Sequence, residues 1–162
     1  MQDKINPIIP VNNLRTEGIP LYPNEIFIPA NMYIFRHRAP LKPYYWVSNY
    51  GRVVSMYDNI CRLIEPSISK AGRAHFTAQL QDNSDANVLV YRLELASFTP
   101  CYDIYVMQVD HIDDNPNNNM LSNLQWLTPA QNLAKALATG KIRSTDDNTF
   151  YNIMMNVYDW KV

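Results

Sequence analysis

Cysteine is scarce in this chain: Cys61 and Cys101 are the two among 162 residues. Neither has a further Cys or His at metal-ligand spacing, which excludes a disulfide framework and a zinc cluster, and a reducing compartment is expected. Charged residues are also few, at 18%, against a hydrophobic share of 47%, so the chain is expected to fold rather than stay disordered. No apolar run approaches the roughly 20 residues that cross a bilayer, and the start, Met1-Gln-Asp-Lys-Ile-Asn-Pro, lacks the basic and apolar stretches of a secretion signal. No membrane partner is expected, and no internal repeat is present. The length fits one domain with room for an extra arm.

An excess of positive charge is missing as well. The net charge is −1 and the isoelectric point near 6.3, which weighs against a general nucleic-acid binder because phosphate contacts call for Lys and Arg. The local distribution differs. Residues 31–80 carry seven basic side chains (Arg36, Arg38, Lys42, Arg52, Arg62, Lys70, Arg73) against Asp58 and Glu65, a net of +5. Residues 81–126 carry Arg92 against seven acids, a net of −6, with Asp110, Asp113 and Asp114 close together. A divalent cation would offset part of that acidic region.

Prolines divide the chain. Seven of eleven fall within residues 1–43, at 7, 10, 20, 23, 29, 40 and 43. Because proline removes a ladder donor and breaks helices, this part is expected to be an extended arm with at most short strands. Its alternating apolar residues Ile5, Ile8, Ile9, Val11 and Leu14 suggest docking on another protein subunit. From Tyr44 onward, Tyr45-Trp-Val-Ser-Asn-Tyr-Gly-Arg-Val-Val-Ser predicts two strands around a turn in which Gly51 supplies a positive φ. Further strands are expected at Cys61-Arg-Leu-Ile and at His75–Leu80, joined by a Lys70-Ala-Gly-Arg turn, then a loop over 82–87 and a short helix over Tyr91–Phe98. A second helix is signalled more strongly. Thr128 caps it, Pro129 takes its first position, Gln131 completes a capping box and Gly140 ends it. In the tail, Ile153, Met154, Val157 and Trp160 recur at helical spacing.

Between those helices lies the segment richest in chemistry: Val109-Asp-His-Ile-Asp-Asp-Asn-Pro-Asn-Asn-Asn-Met-Leu-Ser-Asn-Leu-Gln-Trp-Leu-Thr-Pro-Ala-Gln-Asn132. It offers Asp110 as a hard oxygen ligand, His111 as a general base, and Asn132 as a second oxygen ligand arriving from the helix. Together these are the parts of a small metal site able to hydrolyse a phosphodiester. Taken singly each residue is ordinary: an Asp-His pair is usually a turn, Asn117–Asn119 suit a loop, and Leu124 and Trp126 suit a core.

In that order the residues resemble the HNH (ββα-metal) nuclease family, in the subgroup common in phage genomes and mobile introns, homing endonucleases among them. The matching elements are Asp110-His111, the loop Pro116–Ser122, Asn123-Leu-Gln-Trp-Leu-Thr128 and Asn132. The preceding Tyr45-Trp-Val-Ser-Asn-Tyr-Gly-Arg-Val and Tyr91-Arg-Leu-Glu-Leu-Ala-Ser-Phe resemble the module that often stands before this motif. Tyr91 stands where relatives often carry His. The resemblance implies that His111 deprotonates the attacking water, that Asp110 and Asn132 hold one Mg²⁺ or Mn²⁺, and that Asn123 is structural, tying the loop. It implies double-stranded DNA as partner and 5′-phosphate and 3′-hydroxyl products. Arg52, Lys70, Arg73 and Lys135 are the basic residues expected to meet DNA.

The expected fold is α+β: a Pro-rich arm over 1–43, an antiparallel sheet module over 44–100, the ββα-metal motif over 101–141, and a helical tail over 142–162. The expected function is DNA cleavage in the host cytoplasm. The alternative is an HNH-fold protein kept as a structural or DNA-contacting part of a phage virion, and a weaker third is a DNA-binding regulator without chemistry.

Overall fold

Alternating burial from Phe27 to Leu89 builds two antiparallel sheets. The computed structural model describes residues 18–141, so the helical pattern of the tail and the apolar residues at 5–14 lie outside it. In the first sheet, β1 (Phe27–Pro29), β2 (Tyr45–Ser48), β3 (Val53–Tyr57) and β4 (Ile60–Ile64) follow one another as neighbours. The β2–β3 turn has Gly51 at φ +71°, and the Ser48 hydroxyl accepts from the Tyr50 and Arg52 amides. Asp58 and Asn59, at φ +52° and +61°, make the two-residue β3–β4 turn, the positive-φ pair that matches strand twist. The second sheet holds β5 (Ser67–Ile68), β6 (Ala74–Gln79) and β7 (Asp85–Leu89).

Strand β7 corrects the expected loop over 82–87, which is a turn only as far as Ser84. Asp85 and Asn87 weigh against a strand by composition, yet they point outward while Ala86 and Val88 are buried. Pairing with β6 decides the outcome over residue preference.

Helix α1 (Val90–Phe98) leaves β7 directly and is buried on two sides. Val90, Leu93 and Ala96 join Leu41, Val47, Val53, Phe76, Leu80 and Val88 in the main core. Tyr91 and Leu95 face the other way and pack on Leu124, Val109 and Trp126. These last belong to a hairpin, β8 (Gln108–His111) and β9 (Leu124–Leu127), followed by α2 (Pro129–Ala138). The architecture is therefore α+β, a sheet module joined through α1 to a ββα unit. No helix among the described residues is long and apolar enough to cross a membrane.

The arm needs correction over its described part. Residues 18–43 pack against the sheet module and complete its core rather than standing off it. Phe27, Ala30, Ile34 and Leu41 are buried, and Leu41 bridges to Leu80. Glu25, also buried, takes two hydrogen bonds from Arg52 at 2.8 and 2.5 Å, and the Tyr50 hydroxyl donates to the Pro23 carbonyl at 2.7 Å. Burial opposes the Glu25 charge, but Arg52 and the Tyr22 amide hold its carboxyl below the usual range. Proline misleads here because β1 is a three-residue edge strand ending at Pro29, where a missing donor costs no ladder bond.

Candidate active site

The ββα unit places the chemical residues by simple local rules. Asp110 and His111 end β8, so their side chains alternate across the strand. Asn132 is the fourth residue of α2, whose start is fixed by the Thr128 hydroxyl accepting from the Gln131 amide while the Gln131 side chain accepts from the Thr128 amide. Asp110, His111 and Asn132 line one cavity of about 300 Å³, together with Arg73 and Asp114. Asp110 is buried and the other two are half-buried.

The loop between the strands is rich in Asn and Asp because its turns are made by their side chains. Asp113, Asn115 and Asn118 each accept from the amide two residues on, at 2.9, 3.1 and 3.4 Å. Asn123 closes the loop at its far end: its Oδ1 accepts from the Asp113 amide, and its Nδ2 donates to the Asp113 carboxylate and the Asn118 carbonyl. Hydrogen bonds from Asn118, the Asn115 amide and Asn123 pull the Asp113 carboxyl down to about 2.

Within this frame His111 is held on two sides. Its Nε2 lies 2.9 Å from Asn119 Oδ1, and the Tyr91 ring meets it edge-on with centroids 5.0 Å apart. An amide oxygen only accepts, so the contact puts the proton on Nε2 and leaves Nδ1 with a free lone pair.

Asn119 is seated in turn by the sheet module. A Cβ built on Gly51 would stand 2.6 Å from Asn119 Cβ and 3.0 Å from its carbonyl oxygen, while one on Gly72 would stand 3.3 Å from Pro116. Both glycines have positive φ, +71° and +74°. The two turns of the module thus press on the Asn-rich loop, leaving a Cβ no room at Gly51, while at Gly72 Pro116 would have to give slightly. Gly51→Ala is expected to cost about 1–3 kcal/mol, since it combines a strained φ with contact against a backbone-fixed atom. Urea denaturation checks this, and a variant as stable as the parent would refute the close approach.

The basic residues expected on DNA divide. Lys70 and Arg73 are exposed on the β5–β6 turn, and Arg73 reaches the cavity. Arg52 is a correction: its guanidinium is committed to Glu25 and the Pro20 carbonyl and lies over the Tyr22 ring. Lys135 is another, because its ammonium is spent on Asp110, Asp114 and two backbone carbonyls.

The candidate ligand atoms at this cavity, the Asp110 carboxylate and the Asn132 amide oxygen, are hard oxygens, the donor type a Mg²⁺ or Mn²⁺ ion takes. The Lys135 ammonium and the Gln125 amide now occupy the carboxylate. Among the described residues no three His, Cys, Asp or Glu side chains are placed to hold a metal, so an ion here would rely on Asp110 with neutral partners such as the Asn132 amide. The Asn132 Nδ2 donates to Gln108 Oε1 at 2.6 Å, which commits its nitrogen and not its oxygen.

Sequence reasoning marked Tyr91 only as a departure from the family pattern, read Asn119 as a loop residue, and overlooked Gln125, whose Nε2 donates to Asp110 Oδ2 at 2.8 Å. Gln125 was open to discovery, since strand pairing sets it opposite Asp110.

Residues 104–134 match the family model described as HNH endonuclease. Over 95 residues the chain is 30% identical to the uncharacterized HNH endonuclease L245 of Acanthamoeba polyphaga mimivirus, an alignment covering 59% of this chain and 28% of that protein. Its fold is similar to that of the HNH homing endonuclease I-HmuI, solved in a study of its DNA binding and cleavage. The TM-score is 0.56 at 25% identity, over 69% of this chain and 62% of the other. The chain thus spans less than two thirds of the length of either relative. Matching motif, ββα geometry and shared fold place the segment 104–134 in the HNH endonuclease family.

Proposed function

We propose that the chain is a metal-dependent DNA endonuclease of the HNH type, with His111 as general base. The observation that carries this reading is the common cavity of Asp110, His111 and Asn132, with Arg73 at the same opening. His111 Nδ1 takes the proton of the attacking water, while Asn119 keeps the ring from turning. Arg73 holds a phosphate oxygen at the cavity, and Tyr91 covers one side of the imidazole. A divalent ion held by Asp110 and Asn132 supplies stabilisation of negative charge on the phosphate and on the departing 3′ oxygen. Attack at phosphorus with loss of the 3′ oxygen gives 5′-phosphate and 3′-hydroxyl ends. A phage or mobile-intron setting, double-stranded DNA as substrate and a single metal ion belong to this reading as well.

The virion-component alternative drew on the arm. Over 18–43 the chain packs on its own core, whereas the apolar residues at 5–14 that suggested docking lie outside the described residues. Conversion of supercoiled plasmid with Mg²⁺ or Mn²⁺ tests the enzyme. Nicking is expected with either ion, is expected to vanish in EDTA, and is expected to be lost in Asp110→Ala and weakened in Asn132→Ala. Nicking that persists in EDTA sinks the metal assignment.

A further inference from the structure

Lys135 stands one turn beyond Asn132 on α2, so both side chains reach the same hairpin. Its Nζ lies 2.9 Å from Asp110 Oδ1, 2.9 Å from Asp110 Oδ2, 2.9 Å from the His111 carbonyl oxygen, 3.3 Å from that of Ile112 and 3.0 Å from Asp114 Oδ1. Five oxygens thus converge on one cation carried by the chain itself. Asp110 is buried, and besides Lys135 it receives the Gln125 amide on Oδ2. A carboxylate has about four lone-pair directions, so these contacts leave about one open.

We propose that Lys135 is a built-in competitor for the metal, and that a divalent ion gains Asp110 only by displacing its ammonium. This inference rests on the nuclease reading of the site and adds to it the residue that sets metal affinity. An ammonium and a divalent ion both seek the same hard oxygens, and they repel each other at such short range. Asp114 gives the displaced ammonium somewhere to remain, since its carboxylate already contacts Lys135 and is also bound by Lys141 at 2.7 Å. The lysine side chain is 23% exposed, so it can move without opening the core.

The test measures Mn²⁺ binding by the full chain through loss of the free-ion electron paramagnetic resonance signal. Lys135→Met and Lys135→Gln, checked for folding by circular dichroism, are expected to bind Mn²⁺ at least tenfold more tightly than the parent. Lys135→Arg is expected to show no such gain, and Asp110→Asn is expected to bind weakly. Equal or weaker binding by the folded neutral variants overturns the proposal and makes Lys135 a support of the site. A second readout needs no variant. Acetylation of Lys135 by acetic anhydride, followed by peptide mass spectrometry with exposed Lys70 as internal reference, is expected to speed up at least threefold when Mn²⁺ is added. An unchanged rate at saturating Mn²⁺ also overturns it. Metal-dependent nicking with no effect at Lys135 removes this inference alone, whereas neither Mn²⁺ binding nor nicking in any form removes the nuclease reading with it.

Discussion

His111→Ala is expected to lower the nicking rate by about 10²–10⁴ at saturating metal, the range over which a general base contributes. The geometry separates this effect from damage to the fold. The imidazole sits at the end of β8, half-buried, with Asn119 on one nitrogen and Tyr91 against its face, and the main core lies on the other side of α1. Its removal should leave far-UV circular dichroism and the urea midpoint close to those of the parent. Asn119→Ala should cost less rate, because it frees the ring to choose either tautomer without removing the base. It should also change the pH profile of cleavage, which a merely structural loss would not. Full nicking by a folded His111→Ala protein would end the assignment.

The parts of this site that were legible in the sequence are those fixed by neighbours along the chain. Thr128, Pro129 and Gln131 specify the start of α2 by contacts within four residues, and that start fixes where Asn132 stands. Gly51 and Gly72 announce turns for the same reason: only a residue without a Cβ takes their φ at no cost. What those turns touch was not legible. The approach of Gly51 to Asn119 joins residues far apart in the chain, and nothing in either local pattern encodes it. Strand β7 failed for a related reason, since its case rests on the partner β6 rather than on its own Asp and Asn.

Charge was the least legible property. Arg52 and Lys135 read as surface cations because a sequence shows the side chain and not its company. In the fold each meets a buried carboxylate, Glu25 in one case and Asp110 in the other. The segment 18–43 was misread together with Arg52, because the Glu25 contact is part of what fastens that segment to the module. Asn117, Asn118 and Asn119 looked interchangeable as loop residues. The structure separates them: Asn118 turns the backbone, while Asn119 turns inward to the imidazole.

Glu94→Gln is expected to make the protein more stable at pH 8 and nearly unchanged at pH 5. Glu94 lies on α1 between its two packed faces, with 0% exposure and neither carboxyl oxygen hydrogen-bonded among the described residues. The nearby Gly51 amide offsets little, since it donates to the Ser48 carbonyl at 3.1 Å. Burial therefore pushes the carboxyl up to about 9 from an ordinary 4.5. A raised carboxyl pKa means that the folded state keeps a proton which the unfolded chain releases above about 4.5. Stability is then lost as pH rises between those two values, at about 1.4 kcal/mol per pH unit for one proton. Glutamine carries the shape of the protonated acid at every pH, so it does not share this loss. The two proteins should have nearly the same urea midpoint at pH 5, and the parent should fall behind steadily to pH 8. Over three pH units the gap reaches about 4 kcal/mol, a large share of the 5–15 kcal/mol that holds a typical domain together. Parallel stability curves for parent and variant would show that Glu94 is solvated or paired, and would remove the buried neutral acid from beneath the turn that seats Asn119.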